Sequence, residues 1–201
     1  MIEQILPSLY HWSAADPAER GRAHSLFEQR SGTLIDPALP EDGLDALLAL
    51  GRPRQIVLTN ACHFRDSAQL SDLLDCPVLC NEAGLERLSG QRRVHGFACG
   101  ERLAEGIEAL AVGVPRADES ALVLSNGDGA ICIGDAVRRS NLHSLSIAVA
   151  EGEERLRQRL QRLFEWDFDA MLFAHAEPIL GGGRWLLSEL VEPRPSARVA
   201  R

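Results

Sequence analysis

The chain contains no lysine, because all 21 of its Lys and Arg residues are arginines. This absence excludes mechanisms that depend on a lysine amine, such as a Schiff base, a lysine general base or the lysine of a phosphate-binding loop. The 29 acidic residues outnumber the arginines and give a formal net charge of −8. Since non-specific nucleic-acid binding requires many cationic contacts to phosphate, we expect no nucleic-acid partner.

Long apolar runs and cysteine motifs are missing as well. No run approaches the roughly 20 apolar residues that span a bilayer, and the first residues lack the basic and apolar regions of a secretory signal. The five cysteines contain no Cys-x-x-Cys pair, which argues against a zinc ribbon or a disulfide framework. We therefore expect a soluble cytoplasmic protein with reduced thiols and no membrane partner.

The 201 residues suffice for one domain with a core of ordinary size. We expect a single domain over 1–193 and a loose C-terminal tail over 194–201. Short apolar segments bounded by turn residues predict strands. These segments cover 9–12, 25–27, 32–36, 55–59, 76–80, 107–112, 121–124, 130–133 and 170–174.

Leucines at helical spacing predict helices between these strands. The predicted helices cover 43–50, 82–88, 151–164 and 183–191, and another begins after Asp66 and carries Leu70, Leu73 and Leu74. Asp66 with Gln69 has the spacing of a capping box. Strands interleaved with helices predict a layered α/β protein with two sheets.

Polar residues follow three of the predicted buried strands. They lie in the segment 59–66, at Asp135 and at His175. The ends of strands are where layered α/β folds place their chemistry, so these positions are the candidate functional site.

Four stretches resemble the metallo-β-lactamase superfamily in order and context. They are Gly32-Thr33-Leu34-Ile35-Asp36-Pro37, Gln55-Ile56-Val57-Leu58-Thr59, Ala130 to Ala136 and Phe168 to Ile179. The resemblance implies a four-layer αββα sandwich, in which two mixed β-sheets are flanked by helices. It also implies a site at one edge of that sandwich.

The family motif that holds two zinc ions, Thr-His-x-His-x-Asp-His, is largely replaced. An alignment without gaps places Asn60, Cys62, Phe64 and Arg65 at its four ligand positions. The middle histidine of the family should fall near Val114 to Ser120, where this chain has none. Asp135 resembles the bridging carboxylate of the family and His175 its last ligand. The resemblance therefore implies a degenerate metal site.

Cys62, Asp135 and His175 form a minimal set of metal ligands, because a thiolate, a carboxylate and an imidazole all bind zinc. His63 and Asp66 are possible additional donors. We expect no cofactor, and the alternative is a single zinc or iron ion on these three residues. A second hypothesis assigns the role of the metal to Arg65, whose guanidinium would form a bidentate salt bridge with Asp135.

Two functions from different classes remain open. The first is a metallo-β-lactamase-like protein with a degraded metal site, without the usual two-zinc hydrolase activity, that binds a small molecule or a protein partner in the residual cleft. The alternative is a metal-dependent hydrolase of an ester, thioester or amide that uses the Cys/Asp/His site. Two arginine pairs, Arg92-Arg93 and Arg138-Arg139, are candidates for contact with an acidic ligand. His11, His24, His95 and His143 are expected to be structural.

Overall fold

Two large β-sheets form the centre of the protein. The structure, a computed structural model, describes residues 1–16, 21–141, 144–147 and 152–192. The first sheet has seven strands in sequence order: β1 (Glu3–Leu6), β2 (Leu9–Asp16), β3 (Gly21–Glu28), β4 (Thr33–Ile35), β5 (Gln55–Val57), β6 (Val78–Asn81) and β7 (Val94–Phe97). β1 to β4 pair in antiparallel fashion and β4 to β7 in parallel, so the sheet is mixed.

The second sheet is mixed too. Its strands are β8 (Arg102–Ala104), β9 (Ile107–Ala111), β10 (Ser120–Leu124), β11 (Ala130–Ile133) and β14 (Ala170–Phe173), in the order β14-β11-β10-β9-β8. The pairing of β11 with β14 is parallel and requires a long connection. That connection carries a separate hairpin of β12 (Val137–Asn141) and β13 (Ser144–Ile147).

Helices cover the outer faces of both sheets. They are α1 (Leu44–Leu48), α2 (Ser67–Leu74), α3 (Glu153–Gln161) and α4 (Gly183–Val191). Leu47 of α1 and Leu70 of α2 pack in one apolar cluster with the first sheet. Leu156 of α3 and Leu187 of α4 pack in another with the second sheet. None of the helices in the described ranges has the length and apolar character needed to cross a membrane.

A third cluster fills the space between the sheets. It joins residues of the first sheet, such as Leu26 and Val57, to residues of the second, such as Leu122 and Leu172. Burial of apolar surface at about 25 cal/mol per Å² is the force that holds such layers together. The order helix, sheet, sheet, helix confirms the αββα sandwich expected from the sequence.

Most of the predicted segments coincide with observed elements, but not all do. The helix predicted over 82–88 is wrong, since only a short 3-10 turn forms over Glu82–Gly84. Gly84 disfavours a helix and packs so tightly that a Cβ there would lie 2.8 Å from the Cys80 sulfur. The prediction of a single domain over 1–193 stays a prediction. His143 and the tail over 194–201 lie outside the described residues.

Candidate metal centre

The candidate site lies where strands of the two sheets end. Asp36 directly follows β4, Thr59 follows β5 after one residue, and Asp135 and His175 each come two residues after β11 and β14. Asp36 adopts a left-handed conformation with φ of 46°, which aspartate tolerates better than most residues. Its carboxylate accepts hydrogen bonds from the Thr59 amide at 2.8 Å and the Thr59 hydroxyl at 2.5 Å, so the ends of β4 and β5 are joined.

Three potential metal ligands converge at this edge. The Nε2 atoms of His63 and His175 are 3.0 Å apart. Oδ1 of Asp135 lies 3.4 Å from Nε2 of His63 and 3.2 Å from Nε2 of His175. The two imidazole rings meet edge to face at 67°. Three donor atoms from three separate segments therefore surround one point.

The spacing of these atoms fits a single metal ion. Zinc bonds to nitrogen and oxygen are about 2.0–2.2 Å long, which places ligand atoms about 2.8–3.6 Å apart for octahedral to tetrahedral angles. All three observed separations fall in that range. One proton can bridge only one of the three pairs, whereas one cation contacts all three donors. Two histidines and one carboxylate also form the ligand set of many single-iron sites.

His63 is held in one orientation by buried partners. Its Nδ1 lies 2.8 Å from the Thr59 hydroxyl and 3.1 Å from Oδ2 of Asp36, and only 2 % of the residue is exposed. Burial by itself lowers the pKa of His63, but the charge of Asp36 and the hydrogen bonds to Asp135 and Asp36 outweigh it and raise the pKa to about 9. A carboxylate on one ring nitrogen directs the other nitrogen toward the site, as it does for metal-binding histidines.

The Asp135 carboxylate uses its two oxygens for different purposes. Oδ1 faces the two histidines, whereas Oδ2 accepts a hydrogen bond from the Asn60 amide at 3.2 Å and lies 3.6 Å from Nε of Arg116. Burial raises the pKa of Asp135, but the hydrogen bonds and charges of His175 and His63 reverse this and hold it far below its usual range. Asp135 is therefore a carboxylate at neutral pH with one oxygen turned into the site.

Glu119 supports the same strand end from beneath. Its Oε1 accepts hydrogen bonds from the backbone amides of Asp135 at 2.7 Å and Ala136 at 3.2 Å, and its Oε2 accepts one from Asn60 at 2.8 Å. Burial and the charge of Asp135 raise its pKa to about 8. No sequence pattern indicated a role for Glu119, because it lies 16 residues from Asp135 in the chain.

A second group of donors comes from β2 and β3 of the first sheet and from the loop after β14. His11, His24 and Glu177 have potential ligand atoms within 4.8 Å of one another. Nε2 of His11 and Nδ1 of His24 are 2.9 Å apart, the rings are nearly parallel, and both residues are buried. Burial, and then the neighbouring His11, lowers the pKa of His24 to about 4. One N–H···N hydrogen bond joins the two rings, and the structural role of both residues stays a prediction.

The overall fold is similar to that of several solved structures. A variant of the flavo di-iron protein from Thermotoga maritima superposes with a TM-score of 0.71 at 17% identity, covering 95% of this chain and 61% of the other. A B3 metallo-β-lactamase with an active-site glutamic acid superposes with a TM-score of 0.62 at 16% identity, covering 94% and 90%. TTHA1623 in a di-iron-bound form gives 0.64 at 20% identity, covering 87% and 98%.

The chain has the metallo-β-lactamase fold. It spans about three fifths of the length of the flavo di-iron protein. No protein-family model and no curated protein sequence matches it. At these identities the likeness concerns the fold, so the site has to be judged from the residues of this chain.

Two positions that the sequence alignment placed in the family's first motif, Asn60 and Phe64, make contacts within the protein. The amide of Asn60 donates to Glu119 and Asp135. Phe64 is half-buried and packs with the cluster between the first sheet and its helices. Neither side chain carries a charge or an imidazole.

The predicted salt bridge between Arg65 and Asp135 is wrong. Nη1 of Arg65 donates to the carbonyl oxygens of His24 at 3.1 Å and Asp36 at 2.7 Å, and its Nη2 donates to that of Ala174 at 2.8 Å. Two of these carbonyls, those of Asp36 and Ala174, directly follow strands, and that of His24 lies within β3. Together they direct the guanidinium away from Asp135. The cation that does approach Asp135 is Arg116, which lies in the segment where the family has its middle histidine.

Cys62 and Asp66 do not belong to the group of three converging donors, His63, Asp135 and His175. Cys62 is partly exposed, its amide donates to Oδ1 of Asn60 at 2.8 Å, and burial raises the pKa of its thiol. Asp66 stands at the N-cap of α2, but its side chain makes no capping hydrogen bond and instead accepts one from the Leu39 amide at 2.7 Å. The predicted capping role of the Asp66 side chain is therefore wrong.

Proposed function

We propose that this protein is a metal-dependent hydrolase of the metallo-β-lactamase fold that uses one metal ion, zinc or iron, held by His63, Asp135 and His175. The observation that supports this proposal is the mutual spacing of their donor atoms, 3.0 to 3.4 Å. His63 is therefore the third ligand in place of Cys62, which was predicted from the sequence. The substrate is an ester, thioester or amide, and water divides it into an acid and an alcohol, thiol or amine.

The residues around the ligands prepare them for this task. Asp36 and Thr59 fix the ring of His63, while Asn60 and Arg116 hold the outer oxygen of Asp135. Such outer contacts typically change metal affinity or activity by about 10–100-fold. When bound, a zinc or iron ion supplies Lewis-acid activation at neutral pH. The chain itself contributes orientation, negative charge and a largely water-free support.

Metal analysis of matched variants tests the ligand assignment. The purified protein is loaded with Zn²⁺ or Fe²⁺, freed of excess metal and analysed by mass spectrometry of the elements. We expect about one ion per chain in the native protein and in Cys62→Ala, because one three-ligand site holds one ion. His63→Ala, Asp135→Asn and His175→Ala should lose it.

An exposed histidine provides the control for these variants. His95 lies on β7 outside the site, so His95→Ala should keep the metal. Retention of metal in His175→Ala, or loss in Cys62→Ala alone, would contradict the assignment. Hydrolysis of a p-nitrophenyl ester, measured before and after chelation, tests whether the loaded site is active. A loaded protein without chelator-sensitive hydrolysis would refute the hydrolase proposal.

A second candidate function is ligand binding without metal. It is favoured by the contacts of Asp135, whose carboxylate lies 3.4 Å from Nε2 of His63 and 3.6 Å from Nε of Arg116 and so has cationic partners from the chain itself. In that case no tested metal binds and a chelator leaves the thermal stability unchanged. The same metal analysis therefore decides between the two functions.

A further inference from the structure

A cavity of about 280 Å³ opens directly beside the candidate metal centre. It is lined by Gly21, Arg22, Gly134, Asp135, Val137, Arg138, Arg139, Phe173, His175 and Ala176. Two of the three proposed metal ligands therefore form part of its wall. Its volume lies near the lower end of the about 300–1,000 Å³ found for ligand pockets, which suits a small molecule rather than a chain segment.

Three of the residues that line this cavity are arginines. In a chain with net charge −8, their grouping makes a local positive wall next to the site. Asp135 is the one acidic residue in the lining, and it faces His63, His175 and Arg116. A guanidinium presents planar paired donors that match carboxylate and phosphate oxygens.

The three arginines are held by different supports. Arg22 on β3 donates to the hydroxyl and the carbonyl oxygen of Ser13 on β2 and lies 3.3 Å from Glu41. Arg139 on β12 donates to the carbonyl oxygens of Glu177 and Pro178, in the loop that follows His175. These bonds hold two of the three guanidinium groups in place.

Arg138 supplies the third positive charge of the cavity wall. It is exposed, and its strand β12 starts two residues after Asp135. The other arginine pair in the sequence, Arg92-Arg93, differs clearly. Arg93 forms an ion pair with Asp75, and Arg92 is exposed on the turn before β7. Of these two arginine pairs, Arg138-Arg139 is the one that lines a cavity beside the candidate metal centre.

We propose that this cavity binds the acidic group of the substrate, a carboxylate or a phosphate, through Arg22, Arg138 and Arg139. The inference rests on the proposed function, since it places the hydrolysed bond near His175 and the oxyanion in the adjoining cavity. It deepens that function by naming the substrate class as small acidic molecules.

Anion titrations of the zinc-loaded protein test the inference. Inorganic phosphate and succinate serve as the two probes, succinamide as the uncharged match of succinate, and binding is measured calorimetrically. We expect at least one of the two anions to bind and succinamide not to bind. Arg138→Gln and Arg22→Gln should each lower the affinity for the anion by about tenfold or more, because a charge-assisted hydrogen bond is lost. The anion that binds more tightly indicates whether the acidic group of the substrate is a phosphate or a carboxylate.

Arg92→Gln is the matched control, since it removes the same charge from an exposed site outside the cavity. Equal anion affinity in Arg138→Gln, Arg22→Gln and Arg92→Gln overturns the inference, as does binding of neither anion. Metal content is measured on the same samples. A full metal complement with arginine-independent anion binding refutes the inference alone. Absence of metal with arginine-dependent anion binding refutes the proposed function and leaves the cavity assignment supported.

Discussion

Nη2 of Arg65 donates a hydrogen bond of 2.8 Å to the carbonyl oxygen of Ala174, the residue directly before His175. Since Arg65 follows β5 of the first sheet and Ala174 follows β14 of the second, this bond joins the two sheets beneath the site. Nε of the same guanidinium lies 3.5 Å from Asp16, and its side chain is 6 % exposed. Arg65 therefore organises the backbone around the candidate metal centre rather than compensating the charge of Asp135.

Replacing Arg65 by lysine should destabilise the protein. An ammonium on a flexible stem cannot reproduce the planar contacts to three carbonyl oxygens. Each hydrogen bond to a charged group that is lost contributes about 1.5–3 kcal/mol. We expect a loss of about 2–4 kcal/mol in the free energy of unfolding, measured by urea denaturation. Arg162→Lys, at an exposed site, is the control and should change it by less than about 0.5 kcal/mol. Equal stability of the two variants would show that the contacts contribute little.

Asp36→Asn should weaken metal binding without removing a ligand. The substitution removes the negative charge on the Nδ1 side of His63 and with it the group that directs Nε2 toward the site. We expect an affinity for Zn²⁺ about 10–100-fold lower in a competition titration with a chromophoric chelator. Asp72→Asn, on the exposed face of α2, should leave the affinity unchanged. A native affinity in Asp36→Asn would mean that this carboxylate serves stability alone.

Gly134→Ala should disturb Asp135 through crowding. A Cβ at position 134 would lie 2.7 Å from the Thr59 hydroxyl and 2.8 Å from Oε1 of Glu119, closer than normal contact. Such overpacking typically costs about 1–3 kcal/mol. We expect this loss of stability together with reduced metal content. Gly181→Ala is the control, because its Cβ would meet its nearest neighbour at 3.5 Å; a similar effect in both variants would refute the steric explanation.

His24 should make a separate contribution to the pH dependence of stability. Its pKa is lowered to about 4 in the folded state from an ordinary value of 6.5, so the unfolded chain binds the proton more readily. The contribution of neutral His24 to the free energy of unfolding is therefore fully present above pH 6.5 and is lost as the pH falls toward 4. Between pH 7 and pH 5 this amounts to about 2 kcal/mol.

Urea denaturation at several pH values tests this dependence. Between pH 7 and pH 5 the native protein should lose stability relative to His24→Gln, because the variant lacks the titrating group, whereas the contributions of His63 and Glu119 are common to both. His95→Gln, which removes an exposed histidine, should retain the native slope. The same slope in His24→Gln and in the native protein would exclude His24 as the source of the dependence.

The architecture was predictable because local patterns and global packing agree. Short apolar segments such as 130–133 and 170–174 became buried strands, and the leucines of 183–191 became the inner face of α4. The strands β1, β7 and β8 were not predicted, since they are short, mostly polar or partly exposed and lack a clear alternation. Their pairing depends on neighbours that a linear pattern does not contain.

The site was predictable only in part, and the turn after β5 explains why. Residues Ala61–Phe64 form a 3-10 turn that begins at Asn60, whose side chain accepts a hydrogen bond from the Cys62 amide. This turn brings His63, rather than Cys62, into the group with Asp135 and His175. An alignment without gaps indicates which residues are near the site, but the direction of each side chain depends on the local backbone.

The sequence by itself determined the layered αββα fold, the edge at which the site lies, and two of its three converging donors, Asp135 and His175. Only the tertiary structure decided that His63 is the third, that Arg116 rather than Arg65 approaches Asp135, and that Arg22 joins Arg138 and Arg139 around one cavity. The reason is physical. Hydrophobic periodicity acts over a few residues along the chain, whereas metal and anion sites depend on ångström-scale distances between segments up to 112 residues apart.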